Sequence, residues 1–334
     1  MAETYPASEI QPEVLWSGYE SEPVTDQDPF FVRTLIFADD IVILARSEAE
    51  LRGLIARLET FCSETGLEVN MSKTRWMRFG EMPGDPFVFQ GAPIDETLVY
   101  KYLGVEITRD LRWTSCFKAR TASGLKTLYS MLNKCEAANL LAWSLRRNLF
   151  DALVKPVLLY NVQTWGPTLS RTNWRKVEGI HKKYLQEELG VREQTPYVLM
   201  LAETGRIPLE IEGLLLTLQY VQRLQVQDSF ASRARVLTYA KGWQADVHRW
   251  ASYWNIPEQI WGNADLRDKV IEQVVAKLWR DRSSRQSYYI CDITPLLPYG
   301  EKPFLRSNIP RRLRQTIARF RTSSGIWNLE FLMP

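Results

Sequence analysis

Two adjacent acids, Asp39 and Asp40, stand in the middle of LIFADDIVIL, between two short apolar runs. Carboxylates so placed suit one chemistry in particular. Hard divalent cations take oxygen ligands, and aspartate offers two oxygens on a short side chain with few rotamers to order. Cations held this way can bridge phosphate oxygens and an attacking hydroxyl, so a rigid aspartate pair is a natural seat for phosphoryl chemistry. A bare Asp-Asp pair is also the mark of an ordinary solvated turn. The elements around it decide between the two.

The flanking runs, Phe30 to Phe37 and Ile41 to Ala45, are rich in β-branched and aromatic residues and are separated by Ala38, Asp39 and Asp40. That pattern predicts a β-hairpin with the acids at its tip. At a tip the strands bury their apolar residues while the carboxylates stay solvated or hold a cation. Ser47 and Glu50 then form an S-x-x-E capping box. Leu51, Leu54, Ile55, Leu58 and Phe61 repeat at helical spacing, and Gly66 is placed to end that helix in the left-handed conformation. LEVNMSKTRWMRFG predicts a turn around Asn70 and Ser72 leading into a strand near Arg75 to Phe79, with further strands at PFVFQG and YKYLGVEI. Residues 30–110 thus read as α+β, one helix packed on an antiparallel sheet.

From Trp113 the period becomes helical. Phe117, Leu125, Leu128 and Leu132 mark one helix. Leu145, Leu149, Leu153 and Val157 mark a second, which Pro156 should kink or end. Trp174, Val177, Ile180, Tyr184 and Leu185 give a third, stopped near Gly190. Leu214, Leu215, Leu218, Val221 and Leu224 give another, and Leu266, Val270, Ile271, Val274, Val275 and Leu278 a clean stripe beyond it. Ile309, Leu313, Ile317 and Phe320 make a last amphipathic helix with an arginine cluster beside it.

Composition narrows the class. The 334 residues are 45% hydrophobic and 24% charged, which is globular material for about two folded units. The net charge of +3 says little, but its distribution is uneven. Seven acids precede the first basic residue, Arg33, while Arg306, Arg311, Arg312, Arg314, Arg319 and Arg321 crowd the far end. Such asymmetry can mark a polyanion-binding end or a solvated helix face. Four scattered cysteines and two histidines, without a C-x-x-C pair, argue against a zinc site and a disulfide framework. No apolar run reaches membrane-spanning length, and the acidic start is unlike a signal peptide. An intracellular protein of the nucleus or cytoplasm is therefore expected.

FADDIVILARSEAELRGLIARLETFCSETGLEVNMSKTRWMRFG resembles the second half of the palm of non-LTR (LINE-type) retrotransposon reverse transcriptases. In that family an aromatic-Ala-Asp-Asp turn is followed by a strand, a helix of this length, a GL-x-[VIL]-N-x-x-K-T motif and another strand. YKYLGVEIT resembles the segment that grips the primer end, LVKPVLLYNVQTWG a thumb helix, and LAETGRIPLEIEGLLLTLQYVQRL a region beyond the thumb. The likeness covers roughly residues 31–225. It implies a partial right-hand polymerase palm (30–110), a helical thumb (111–195) and a helical C-terminal extension (196–334), after a disordered acidic lead-in (1–29).

The resemblance also implies roles. Asp39 would be the main ligand for Mg2+ and Asp40 a weaker one. Lys73 would approach the phosphates of the incoming nucleotide, where an ammonium can offset charge or donate a proton. Tyr102, Leu103 and Gly104 would support the primer's 3′ end. Lys118, Arg120 and Lys126 could meet phosphates on one thumb helix, as could Arg311 and Arg312 at the far end, although a solvated basic face reads the same way. Tyr160 and Trp165 are expected in the thumb core. Partners would be an RNA template and a DNA primer.

The family's metal site needs a further aspartate on a palm strand well upstream, and Asp26 and Asp28 have no apolar strand in front of them. The expectation is a reverse transcriptase-like chain that does not polymerise alone, unless a second chain completes the palm. The alternatives are a non-catalytic nucleic-acid-binding protein and a decayed reading frame.

Overall fold

The computed structural model describes residues 34–79, 85–226, 241–280, 303–306 and 309–322. The lead-in expected over residues 1–29 and the first four residues of the opening apolar run lie outside them. The chain divides into two compact units at the Arg112–Trp113 link. The first is mixed α and β and the second is helical, the order announced by the change of period at Trp113.

The first unit does not form the single antiparallel sheet expected of it. Among the described residues it holds three small sheets. Strands β1 (Thr34–Phe37) and β2 (Asp40–Ile43) form an isolated antiparallel hairpin. Strands β3 (Arg75–Trp76), β4 (Phe87–Phe89) and β5 (Ala92–Glu96) form a mixed sheet in which β3 runs parallel to the central β5. Strands β6 (Val99–Tyr102) and β7 (Val105–Thr108) form a second isolated hairpin. The run PFVFQG forms the expected strand and ends in a reversal that leads into β5, whereas YKYLGVEI, expected as a single strand, folds back on itself. The reversals fall at Gln90–Gly91 and Leu103–Gly104, where both residues have positive φ (47° and 80°, then 45° and 79°). Positive φ at both central residues is the type I′ signature, whose twist matches that of the flanking strands.

Helix α1 (Glu48–Thr65) gives this unit its core. The Ser47 hydroxyl accepts from the Glu50 backbone N–H at 3.2 Å, and the Glu50 carboxylate reaches back to the Arg46 N–H at 2.8 Å. The capping box thus forms with its return bond displaced by one residue. Gly66 closes the helix at φ 72°, its N–H on the Cys62 carbonyl. Cys62, Phe87, Phe89 and Ile94 are buried together, with Leu51, Ile55, Leu58, Phe61 and Trp76 packed on them. The apolar stripe of α1 therefore covers the mixed sheet. Trp76 adds a hydrogen bond from its indole N–H to the Ile94 carbonyl at 3.1 Å.

The second unit contains α2 (Thr114–Ala137), α3 (Trp143–Leu149), α4 (Lys155–Leu158), α5 (Val162–Trp165), α6 (Arg171–Leu189), α7 (Tyr197–Thr204) and α8 (Leu209–Val226). Beyond these lie α9 (Lys241–Tyr253), α10 (Leu266–Arg280), α11 (Pro303–Arg306) and α12 (Arg311–Arg321). Among the described residues no helix is long and apolar enough to cross a membrane.

Between α3 and α4 the chain makes a π turn, Phe150–Val154, in which the Lys155 N–H bonds the Phe150 carbonyl five residues back. Pro156 supplies the cause: it has no N–H, and its ring crowds the carbonyl four residues earlier. The buried face is Trp143, Arg146, Phe150, Val154 and Leu158, one residue out of phase with the expected stripe on both sides of the π turn, and Leu145 and Leu153 are exposed. Trp165 is buried as expected, but Tyr160 is 45% exposed, with the Arg120 guanidinium 4.9 Å from its ring centroid.

The apolar stripes of α6 and α8 are buried. Gly190 ends α6 at φ 61°, and a Cβ there would meet the Gln315 side chain at 2.7 Å. The rings of Trp165, Trp174 and Trp250 stack at 6.1 and 5.0 Å, and the buried Glu210 carboxylate accepts from the indoles of Trp250 and Trp254 at 2.9 and 3.0 Å. Helix α12 is turned differently from its apolar pattern. Leu313 is exposed, while Arg314 and Ala318 are buried.

Candidate metal and nucleic-acid site

In the β1–β2 hairpin Phe37 pairs with Asp40, leaving a two-residue turn of Ala38 and Asp39. Ala38 has φ 52° and Asp39 is not in the positive-φ region, the pattern of a type II′ turn. That first position normally belongs to glycine. An alanine there stores backbone strain of about 1–3 kcal/mol, and strain of this kind gathers at functional sites. Both carboxylates are exposed, and neither makes a hydrogen bond or ion pair among the described residues. The strands beside them do not bury their apolar residues. Leu35, Ile36, Phe37 and Ile41 are all exposed, Phe37 at 61%. Cross-strand partners share a face, so Leu35 and Phe37 lie on one side of the ribbon and Ile36 and Ile41 on the other. The hairpin offers apolar surface on both faces.

The donor set fits Mg2+ in kind, with hard carboxylate oxygens held next to one another. It is small in number, because the ion takes six oxygens in near-octahedral geometry. Among the described residues no group of three or more His, Cys, Asp or Glu side chains could hold a metal ion.

Lys73 lies in a turn organised by Asn70, whose carbonyl accepts the N–H groups of Lys73 and Thr74, both at 3.0 Å. Its side chain is exposed and is not joined to Asp39 or Asp40 by any bond. Tyr102, Leu103 and Gly104 form the end of the β6–β7 hairpin, with Leu103 and Gly104 as its turn. The fold thus brings Asp39 and Asp40 together. Lys73 and Tyr102–Gly104 belong to other parts of the same unit.

In the helical unit the expected basic residues divide into two kinds. Arg311 is engaged within the protein, donating to the Glu136 carboxylate at 2.6 Å and to the Glu187 carboxylate at 3.0 Å and carbonyl at 3.2 Å. Arg314 donates to the Leu141 carbonyl, Arg319 to the Gly190 carbonyl at 2.5 Å and Arg321 to Glu203 at 2.7 Å. Those aimed at Glu187 and Gly190 satisfy carbonyls at the end of α6, where the helix dipole favours cations. Arg312 is exposed. Arg120 is half-buried on Tyr160.

Lys118 and Lys126 are exposed and unpaired among the described residues, and so are Lys134, Arg175 and Lys176, none of which stands out in the sequence. Lys183 stands 4.8 Å from the ring centroid of the exposed Tyr129, which places the cations of α6 beside those of α2. Lys176 and Lys183 lie seven residues apart on one face of α6, with the exposed Gly179 between them. The signal for this face is present as lysines spaced along two helices. The denser arginine cluster of α12 masks it.

Residues 21–107 match the family described as reverse transcriptase (RNA-dependent DNA polymerase). A transposon-derived protein of Caenorhabditis elegans is 27% identical over 162 residues, which cover 47% of this chain and 56% of that protein. The "Probable RNA-directed DNA polymerase from transposon BS" of Drosophila melanogaster is 25% identical over 172 residues, 48% of this chain and 18% of that protein. The chain therefore carries reverse transcriptase domain sequence and is distantly related to transposon-derived proteins. It spans just over half the length of the first relative and less than a fifth of the second.

Proposed function

We propose that the first unit is the distal half of a non-LTR-type polymerase palm, and that the second is its thumb and helical extension. The observation that carries this reading is the Asp39–Asp40 pair on a strained two-residue hairpin, inside the segment that matches the reverse transcriptase family. The reaction is attack of a primer 3′ hydroxyl on the α-phosphate of an incoming deoxynucleotide, with pyrophosphate leaving. A divalent ion at the pair would supply charge stabilisation to the phosphate and the attacking oxygen. Asp39 and Asp40 would hold the ion, Lys73 would meet the leaving phosphates, and Tyr102–Gly104 would support the primer end.

Two carboxylates, those found among the described residues, are too few for this reaction, which needs a further acid to hold its metal ions. On this reading the chain alone would bind Mg2+ weakly and would not polymerise; a third carboxylate from a further palm strand would complete the site. The open apolar faces of β1–β2 are where such a strand would pack. Paramagnetic Mn2+ tests the metal assignment: resonances of Asp39 and Asp40 broaden in the wild type, and in Asp39→Ala the Asp40 resonance stays sharp. Broadening that survives the substitution removes the assignment.

A second reading has its own support. The unpaired lysines of α2 and α6, with Tyr129 among them, suit the phosphate backbone of a nucleic acid whether or not any chemistry follows. Electrophoretic mobility shifts with primed RNA at two salt concentrations test it, since a backbone-tracking face loses affinity steeply as salt rises.

A further inference from the structure

We infer that Asp151, Arg206, His181, Tyr197 and Glu178 form a one-way hydrogen-bonded relay through the helical unit, and that proton uptake at Glu178 breaks its last link, the one from Tyr197, while the start of α8 stays held. The inference stands apart from the polymerase reading and holds whether or not the chain handles nucleic acid.

The direction of the relay is fixed at Arg206, which has donors only. Its Nη1 and Nη2 donate to Asp151 at 3.3 and 2.5 Å, and its Nε donates to Nε2 of His181 at 3.0 Å. The imidazole proton must therefore sit on Nδ1, which donates to the Tyr197 hydroxyl at 2.6 Å. Tyr197 in turn donates to Oε2 of Glu178. Oε1 of Glu178 accepts the backbone N–H of Glu210 at 2.7 Å, in the first turn of α8. A side chain of α6 thereby satisfies an amide that the helix itself cannot. At the centre, Phe150 of the π turn stacks on His181 at 5.3 Å and on Tyr184 at 4.1 Å, so the widened helix turn seats the relay. Isolated π turns gather at functional positions.

The arrangement suits a neutral His181 and an ionised Glu178. Charged and titratable groups face it from every side. Asp151 and Lys155 come from the π turn and α4, Tyr184 from α6, Tyr197 from α7, and Arg206, Glu210 and Glu212 from α8 and the loop before it. A proton on Oε2 of Glu178 puts a donor opposite the Tyr197 hydroxyl, while Oε1 goes on accepting the Glu210 amide. The Glu210 carboxylate, the other acid at hand, already accepts from Arg171, Trp250 and Trp254. Uptake of the proton and the link from Tyr197 therefore exclude one another. Burial pushes the Glu178 carboxyl up to about 7, against the pull of Tyr197 and the Glu210 amide. Burial and the nearby Arg206 hold His181 well below its ordinary value. The carboxyl, not the imidazole, takes the proton.

The test is a pH titration of the full chain from about pH 5 to about pH 8.5, carrying carbon-13 glutamate and nitrogen-15 labels. Glu178→Gln assigns the glutamate resonance. Three results are expected. A glutamate carboxyl titrates near neutrality. The Glu210 amide resonance shifts in step with protonation but keeps its exchange protection, after correction for intrinsic exchange. His181 keeps its proton-free Nε2 throughout. Tyr197→Phe, which removes a donor to the carboxylate, moves the midpoint upward and serves if Glu178→Gln fails to fold. A Glu178 midpoint at the value of an exposed glutamate overturns the inference. So does a His181 that takes up the proton in this range, or a Glu210 amide that loses its protection as the carboxyl is protonated.

Discussion

The Nε of Arg146 donates to Oε1 of Glu188 at 2.6 Å, and neither side chain reaches solvent. The pair joins α3 to α6, and a second nitrogen of the same guanidinium reaches Glu136 at 3.1 Å and the Leu140 carbonyl at 3.2 Å. Burial drives the Glu188 carboxyl upward, and its partner Arg146 opposes that shift.

Removing one member of this pair leaves the other charge stranded. Arg146→Met is expected to destabilise the helical unit by about 3–5 kcal/mol, the usual cost of an uncompensated buried charge. Arg146→Met combined with Glu188→Leu is expected to recover most of that loss, because two apolar side chains can replace a buried ion pair. Urea denaturation of both single variants and the double variant, followed by tryptophan fluorescence, gives the comparison. An additive double variant contradicts the buried pairing.

The relay makes stability depend on pH in a stated direction. Glu178 has a carboxyl raised to about 7 in the fold, above its ordinary 4.5, so the folded state holds its proton more tightly than the unfolded chain. Its contribution is fully present below about pH 4.5 and is lost as pH rises through about 7. Stability of the helical unit is therefore expected to fall by about 2–3 kcal/mol from this group between those limits, and Glu178→Gln to flatten that slope. Asp151 works in the opposite sense at lower pH. Arg206 and Lys155 hold its carboxyl below the ordinary range despite burial, and that stabilisation disappears as the acid is protonated. Chemical denaturation at a series of pH values separates the two.

The two groups of basic residues are expected to respond differently. Lys126→Ala with Lys183→Ala should weaken nucleic-acid binding about equally on all sequences and lower the salt slope by about one for each phosphate no longer neutralised, without changing thermal stability. Arg311→Ala should instead lower the melting temperature, because it frees Glu136 and Glu187 and uncaps α6. Fluorescence anisotropy with a labelled duplex and a thermal melt on each variant decide it. Equal effects of both changes on binding, at unchanged stability, would restore α12 as a binding element.

Much of the candidate site is legible in the sequence because local signals agree with the fold. The Asp39–Asp40 hairpin follows from two β-rich runs around a turn, and both ends of α1 follow from Ser47, Glu50 and Gly66. The turns at Gln90–Gly91 and Leu103–Gly104 escape notice, since neither carries the Asn-Gly or Asp-Gly pair that announces a type I′ reversal. The inner face of α3 is misjudged because its buried row runs through a charged residue, Arg146, one place after the Leu145 that periodicity selects. The α12 arginines look outward-facing because charge usually is; their partners are carbonyls and carboxylates far away in the chain. Glu178 and His181 of the relay are two ionisable residues three apart on α6, a spacing visible in the sequence but with nothing local to mark it as buried.

The central claim is that Asp39 and Asp40 are half of a polymerase metal site. Primer extension on a primed RNA template, with deoxynucleotides and Mg2+, compares the purified chain with Asp39→Ala most directly. No incorporation by either protein is the predicted result. Incorporation by the wild type that disappears in Asp39→Ala would show that the chain completes the site by itself, and would contradict the account.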